Sequence, residues 1–172
     1  MVTSAVTGPI LLLSCPPGTD PEPHPVYPHG GIPIPGRPGE TARSVEGFWQ
    51  GPKVFERGGG VNALRWAITD MMGIKRSGKS RGAVLEHRFG ADEGVLLGYR
   101  DARVRIDLPA YRWVLDNRLA AEVARLRVYG AGGTLVLLNY ETNGDIDDLS
   151  GPLSHAAVPR CYLEGTWPVA GT

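Results

Sequence analysis

Ser44-Val45-Glu46-Gly47-Phe48-Trp49-Gln50-Gly51-Pro52-Lys53-Val54-Phe55 interleaves charged, aromatic and glycine residues within a short span. At helical spacing Glu46, Gln50 and Lys53 share one face, while Val45, Trp49, Pro52 and, in part, Phe48 cover another. Ser44 suits the N-cap, which puts Glu46 in the first turn, where the helix dipole favours an anion. Gly47 and Gly51 leave the polar face bare, so a ligand can approach the backbone. Pro52 removes a helical hydrogen bond and should kink or end the helix, which loosens the alignment of Glu46 with Lys53. On spacing alone, a solvated amphipathic helix remains the plain alternative.

Outward from this stretch, composition bounds the rest. The chain has 172 residues and is 42% hydrophobic, enough for one domain with a real core. Eighteen Lys and Arg balance eighteen Asp and Glu, so no net field draws the protein to nucleic acid or an anionic membrane, and any phosphate recognition must be local. The 24 glycines and 15 prolines point to loops and tight turns rather than a helical bundle. Cys15 and Cys161 have no metal-ligand spacing, and so few cysteines fit a reducing compartment. We expect no metal and no cofactor. Ile10-Leu11-Leu12-Leu13-Ser14-Cys15 has some likeness to the end of a lipoprotein signal, but no Lys or Arg precedes Arg37 and Gly8-Pro9 cuts the run, so a buried strand is the better reading. No apolar run reaches the ~18 residues of a membrane helix. The expectation is a soluble, cytoplasmic protein without a membrane partner.

Taken in order, Pro9–Ser14 reads as a short strand ended by Pro16. The Pro- and Gly-rich run Pro16–Gly39 must be a long loop or a disordered one, with Pro16–Pro25 expected to be the mobile part and Val26–Pro35 laid against a core or pocket. Beyond the central helix, Gly58-Gly59-Gly60 is a joint. Val61, Leu64, Ile68 and Met71/Met72 then predict a second helix ending at Gly73. Ile74–Gly82 carries Lys75, Arg76, Lys79 and Arg81, either a solvated basic loop or a phosphate grip, with a third short helix expected over Ala83–Phe89. Gly78-Lys79-Ser80 is not a Walker motif, because the opening glycine and a leading strand are missing. Val95-Leu96-Leu97 and Val104-Arg105-Ile106 read as strands. Pro109 starts the main core helix, whose stripe runs from Tyr111 to Leu126 and stops at Gly130. Thr134–Glu141 is apolar enough for a central strand buried on both faces.

After that strand comes Thr142-Asn143-Gly144-Asp145-Ile146-Asp147-Asp148, three carboxylates just beyond a strand end, where ligand-contacting groups often sit. An acidic surface turn cornered by Asn143-Gly144 is the alternative. It is not an EF-hand, since the later ligands and the closing Glu are missing. The last helix, Pro152–Leu163, carries Ser154, His155 and Arg160. Ser154 and His155 are adjacent on it and point apart, so they form no triad.

Tyr27-Pro28, then Ser44, Glu46, Gln50 and Lys53 with Phe55, then an aspartate-bearing turn after an apolar strand, together resemble the NADAR superfamily, related to the riboflavin-pathway N-glycosidases. Those proteins carry a Tyr-Pro loop, a Ser-x-Glu-His-x-x-Gln-x-x-Lys-Phe helix and a late acidic segment. Here Gly47 stands at the family's histidine, Val54 precedes Phe55, and Asp145–Leu153 replaces a Trp-Gly-x-Gly segment. The chain is also similar to a group of actinobacterial type with Tyr-Pro-His-Gly-Gly-Ile-Pro and a Val-Glu-Gly-x-Trp-Gln-Gly helix. The resemblance runs from Val26 to Gly165, weakest between Gly58 and Asp101.

It implies an α+β fold, a single mixed domain of several helices around a small β-sheet. The expected layout is a strand and Pro-rich loop over 1–25, a NADAR-like domain over 26–165 and a tail over 166–172. It also implies cleavage of an N-glycosidic bond between ribose and a base or amine, in riboflavin precursors or ADP-ribosylated guanine. Partners would be a small nucleotide or riboside, or ADP-ribosylated nucleic acid, met by a monomer or homodimer. Loss of the base builds oxocarbenium character, which a carboxylate stabilises while a positioned acid or base serves the leaving group and water. Glu46 with Asp145, Asp147 or Asp148 is the expected catalytic set. Lys53 joins it, touching a phosphate or ring hydroxyls or forming an imine. Tyr27, His29, Trp49, Gln50, Lys75, Arg76, Lys79, Asn143 and His155 are the expected substrate contacts. The alternative is a non-catalytic binder of nucleotide or ADP-ribose, which the missing histidine and Trp-Gly motif favour.

Overall fold

The computed structural model describes residues 10–12, 28–57, 81–90, 94–139 and 141–168. Tyr27, Lys75, Arg76, Lys79, the expected mobile loop over Pro16–Pro25 and the second helix all lie outside them. The fold is α+β, with helices packed among small sheets rather than around a single one. No helix of the described residues is long and apolar enough to cross a membrane.

Strand β1, Ile10–Leu12, falls where the apolar run placed it. The Pro-rich loop lies on the core as expected: Ile32 and Ile34 are buried, and β2, Ile32–Pro33, pairs antiparallel with β3, Thr41–Ala42. Helix α1, Val45–Gln50, follows, with the Gly47 amide donating to Ser44 Oγ at 2.9 Å. Val45 and Phe48 enter the core. Pro52 ends the helix outright, so Lys53 belongs to strand β4, Lys53–Phe55.

The Ala83–Phe89 segment is β5, a strand over Val84–Phe89 that joins β4 to β6, Val95–Leu97, in an antiparallel sheet. Gly82 and Gly90 bracket it at positive φ, and strand neighbours on both sides take the backbone groups that a helix would have paired internally.

Val104–Ile106 is not a strand either. A helix begins at Tyr99 and continues to Asn117: α2, Tyr99–Ala102, a π-helical segment, Arg103–Asp107, and α3, Leu108–Asn117. Pro109 has no N–H to donate and would crowd the carbonyl four residues back. The chain widens just before it, with the Leu108 amide reaching back five residues to the Arg103 carbonyl. Pro109 therefore marks a widening inside a helix rather than its start.

The expected continuous helix to Gly130 is interrupted at Arg118–Leu119. Asn117 bonds back to the Trp113 carbonyl at 2.8 Å, and Arg118 turns over the Trp113 ring towards the Gly30 carbonyl. Helix α4, Ala120–Gly132, resumes beyond. The apolar Thr134–Glu141 run holds only a three-residue strand, β7, Val136–Leu138, parallel to β1 with Ile10 opposite Val136. Val136 and Leu137 are half-buried, and among the described residues β7 pairs with β1 alone rather than lying between two strands. Helix α5, Ala157–Glu164, is capped by Ser154, whose Oγ accepts from the Ala156 and Ala157 amides. Trp167, in the expected tail, packs edge-on against Tyr162.

Candidate functional site

A cavity of about 350 Å³ opens between α1, the π-helical segment and the chain on either side of the acidic loop. Helix α1 contributes Glu46, Trp49 and Gln50, and β4 contributes Lys53. Opposite them the widened helix supplies Tyr99, Arg103 and Asp107, while Asn139, Glu141 and His155 close the rim. Glu46, Lys53, Trp49, Gln50 and His155 are thus brought together as expected from the sequence.

Two of its lining carboxyl groups, Glu46 and Asp107, differ in setting. Gln50 Nε2 donates to Glu46 Oε1 at 3.0 Å, which fixes the Glu46 side chain along the helix. Asp107 is pushed up to about 7, mainly by burial and then by the charge of Glu46, against the opposing pull of Arg103 and Lys53. Near neutral pH it exists as acid and as base in comparable amounts.

One wall is aromatic. The Trp49 ring stacks on His87 with centroids 4.2 Å apart, and Tyr99 lies 5.9 Å from Trp49. Lys53 Nζ sits 5.6 Å from the Trp49 ring centre. His87, opposite Lys53 in the β4–β5 ladder, is fully buried, and neither ring nitrogen has a hydrogen-bond partner among the described residues. Burial, then the Lys53 charge, lowers it to about 3, so it backs the indole as a neutral ring.

Arg103 is the buried anchor of the acidic loop. Its Nη1 donates to the carbonyls of Ile146 at 3.0 Å and Asp148 at 2.7 Å, with Asp145 further off at 3.4 Å, and its Nη2 donates to Gly151. Its guanidinium also lies 4.5 Å from the Tyr99 ring centre. Because the loop turns its carbonyls inward to this cation, its carboxylates face out. Asp145 accepts from the Asp147 amide, Asp147 pairs with Arg100, and Asp148 accepts from the amide and hydroxyl of Ser150. The three aspartates therefore do not line the cavity; the acidic residues that do are Glu46, Asp107 and Glu141. Asn143 is likewise taken up by the loop, donating to the Asp148 carbonyl and accepting from the Asp145 amide. His29 is half-buried before β2 and does not line the cavity.

Sequence reasoning missed Tyr99, Arg103, Asp107, Asn139 and Glu141. A signal existed for two of them. Ala102, Ile106, Ala110 and Val114 recur every four residues, which carries a helix through the supposed strand and puts Arg103 and Asp107 one turn apart on it.

A second, larger opening of about 760 Å³ adjoins this one along β7 and α5 and shares Asn139 and Glu141 with it. Its remaining lining is largely apolar, including Leu126, Val136 and Leu163, and it lacks the carboxyl pair. Among the described residues no three His, Cys, Asp or Glu side chains converge as a metal site.

No curated protein and no solved structure matches the chain. Residues 22–158 match DUF6939, described as a family of unknown function, and the chain belongs to that family.

Proposed function

We propose that the protein is an N-glycosidase-type hydrolase, a divergent relative of the NADAR superfamily that cleaves the bond between a ribose, or ribose phosphate, and a base or amine in the cytoplasm. The observation that carries the reading is the pairing of Asp107, pushed up to about 7, with Glu46 in one cavity. The match of Ser44, Glu46, Gln50 and Lys53 to the superfamily helix supports it.

In this reading the protonated Asp107 gives its proton to the departing nitrogen as the C–N bond breaks and its electron pair leaves with the base. The Glu46 carboxylate stabilises the positive charge that develops at the anomeric carbon. It then takes a proton from the water that adds there, and exchange with solvent restores both groups. Trp49 and Tyr99 offer ring faces for the base, and the Lys53 ammonium serves a phosphate or the ring hydroxyls. Enclosure strengthens each of these contacts relative to water.

The test is release of free base or sugar from riboflavin precursors, nucleoside monophosphates and ADP-ribosylated guanine, with wild type, Asp107→Asn and Glu46→Gln. Turnover by wild type, lost in both folded variants, is the expected result. Binding of a panel member without turnover would overturn the hydrolase and leave a non-catalytic binder.

A further inference from the structure

The polar cavity does not end at its rim. Asn139 and Glu141 line both it and the opening of about 760 Å³ along β7 and α5, so the two spaces meet at these residues. The junction is tied together, since the Glu141 amide donates to Asn139 Oδ1 at 3.1 Å. Ser154 and His155, consecutive in the chain, line one space each.

The two spaces differ in chemistry. Glu46, Lys53, Arg103 and Asp107 make the smaller one ionic, whereas Leu126, Val136, Leu137 and Leu163 make the larger one apolar. Beyond the shared Glu141, the charged members of the larger lining have partners of their own. Arg160 pairs with Glu164 at 3.8 Å, and the Arg127 guanidinium lies 5.4 Å from the Tyr162 ring centre. What the larger space offers a ligand is therefore mainly apolar contact. Gly130 and Gly133 add room to it, because a Cβ at either would meet nothing within 4 Å among the described residues. A free apolar molecule would bear the whole cost of association there. A substituent of a ligand already held in the polar cavity enters at high local concentration.

We propose that the larger opening is a tail subsite of the same ligand site, and that the ligand is an amphiphilic riboside. Its sugar lies in the polar cavity, and an alkyl or aryl substituent several carbons long lies against Leu126, Val136 and Leu163. The place of the sugar rests on the glycosidase reading; the place of the tail requires no turnover.

Equilibrium binding of two adenosine series tests this, one alkylated on the exocyclic amine and one on the 5′ oxygen, each from methyl to hexyl. Wild type should gain about threefold in affinity per methylene in one of the series. The series that rises identifies which end of the riboside faces the opening. Gly130→Phe and Gly133→Phe place a ring in the opening and should flatten the rise while leaving the affinity for unsubstituted adenosine unchanged. Both variants should fold, since glycine is a poor helix former at position 130 in α4 and the backbone at 133 is extended. Flat affinities in both series, absence of binding included, overturn the proposal. A rise that survives in both Phe variants also overturns it, because the tail then binds elsewhere. Turnover of unsubstituted ribosides without length dependence sinks the tail subsite alone, and length-dependent binding without turnover of any riboside sinks the glycosidase reading alone.

Discussion

The cavity pair Glu46 and Asp107 and the loop trio Asp145, Asp147 and Asp148 are the same chemistry in two environments. In the cavity, little water and a neighbouring carboxylate hold Asp107 up to about 7. On the loop, hydrogen bonds from the Ser150 hydroxyl and amide hold exposed Asp148 below the usual carboxylate range. The difference comes from which part of each residue faces inward. The π-helical segment turns the Asp107 side chain into the cavity, whereas the loop turns its carbonyls towards Arg103 and its carboxylates to solvent. Acidic density along a sequence is therefore a poor guide to where a proton can be handled.

Substitutions in the two sets of carboxylates should differ most in turnover or ligand binding. Asp107→Asn should lower turnover by roughly 10²–10⁴, the usual worth of a positioned acid. Asn at 145, 147 or 148 should stay within about twofold of wild type. A loss at any loop position equal to that at Asp107 would reverse the assignment.

Arg103→Met should come next, because it orphans the inward carbonyls of the loop and removes a cation beside Asp107. We expect a loss of about 3 kcal/mol in urea unfolding, since bonds from a buried charge are the strong ones. Rapid proteolysis within 145–151 should accompany it.

The two environments should also differ in how stability depends on pH. The folded chain holds the Asp107 proton up to about 7, whereas the unfolded chain releases it near 4. The unfolded state thus binds fewer protons in that window, and wild type loses stability as pH rises through it. Asp107→Asn does not titrate, so it should gain on wild type by about 2 kcal/mol between pH 4 and pH 8, after allowance for the partial access of the residue. Chemical denaturation at the two pH values measures this. An unchanged difference would place Asp107 in an ordinary solvated setting.

The smallest effect belongs to the surface. Asp147→Asn removes the exposed Arg100 pair and should move Tm by at most about 2 °C, and less still in high salt.

Several of these features are legible in the sequence itself. Ser44 and Glu46 announce the start of α1, and Pro52 announces its end, through capping and a missing N–H that act within one or two turns. Ile32 and Ile34 between prolines announce a loop laid on a core. Less legible is the segment from Val84 to Phe89, where two bracketing glycines and paired neighbours outweigh a helix-compatible composition. The break at Arg118 depends on Gly30, 88 residues away, which no local window contains.

What the sequence alone determined is local: the capped α1 with Glu46 and Gln50 one turn apart, the proline that stops it, the helical repeat carrying Tyr111, and the balanced charge. Tertiary structure decided the site. It brought Lys53 in from a strand, set Asp107 and Arg103 across from Glu46, laid Trp49 over His87 and tied Tyr111 to His155. Capping and helix periodicity act over a few residues and leave their mark in sequence. Desolvation and charge coupling depend on groups tens of residues apart, and these set the properties of Asp107 and His87 only once the chain has closed around them.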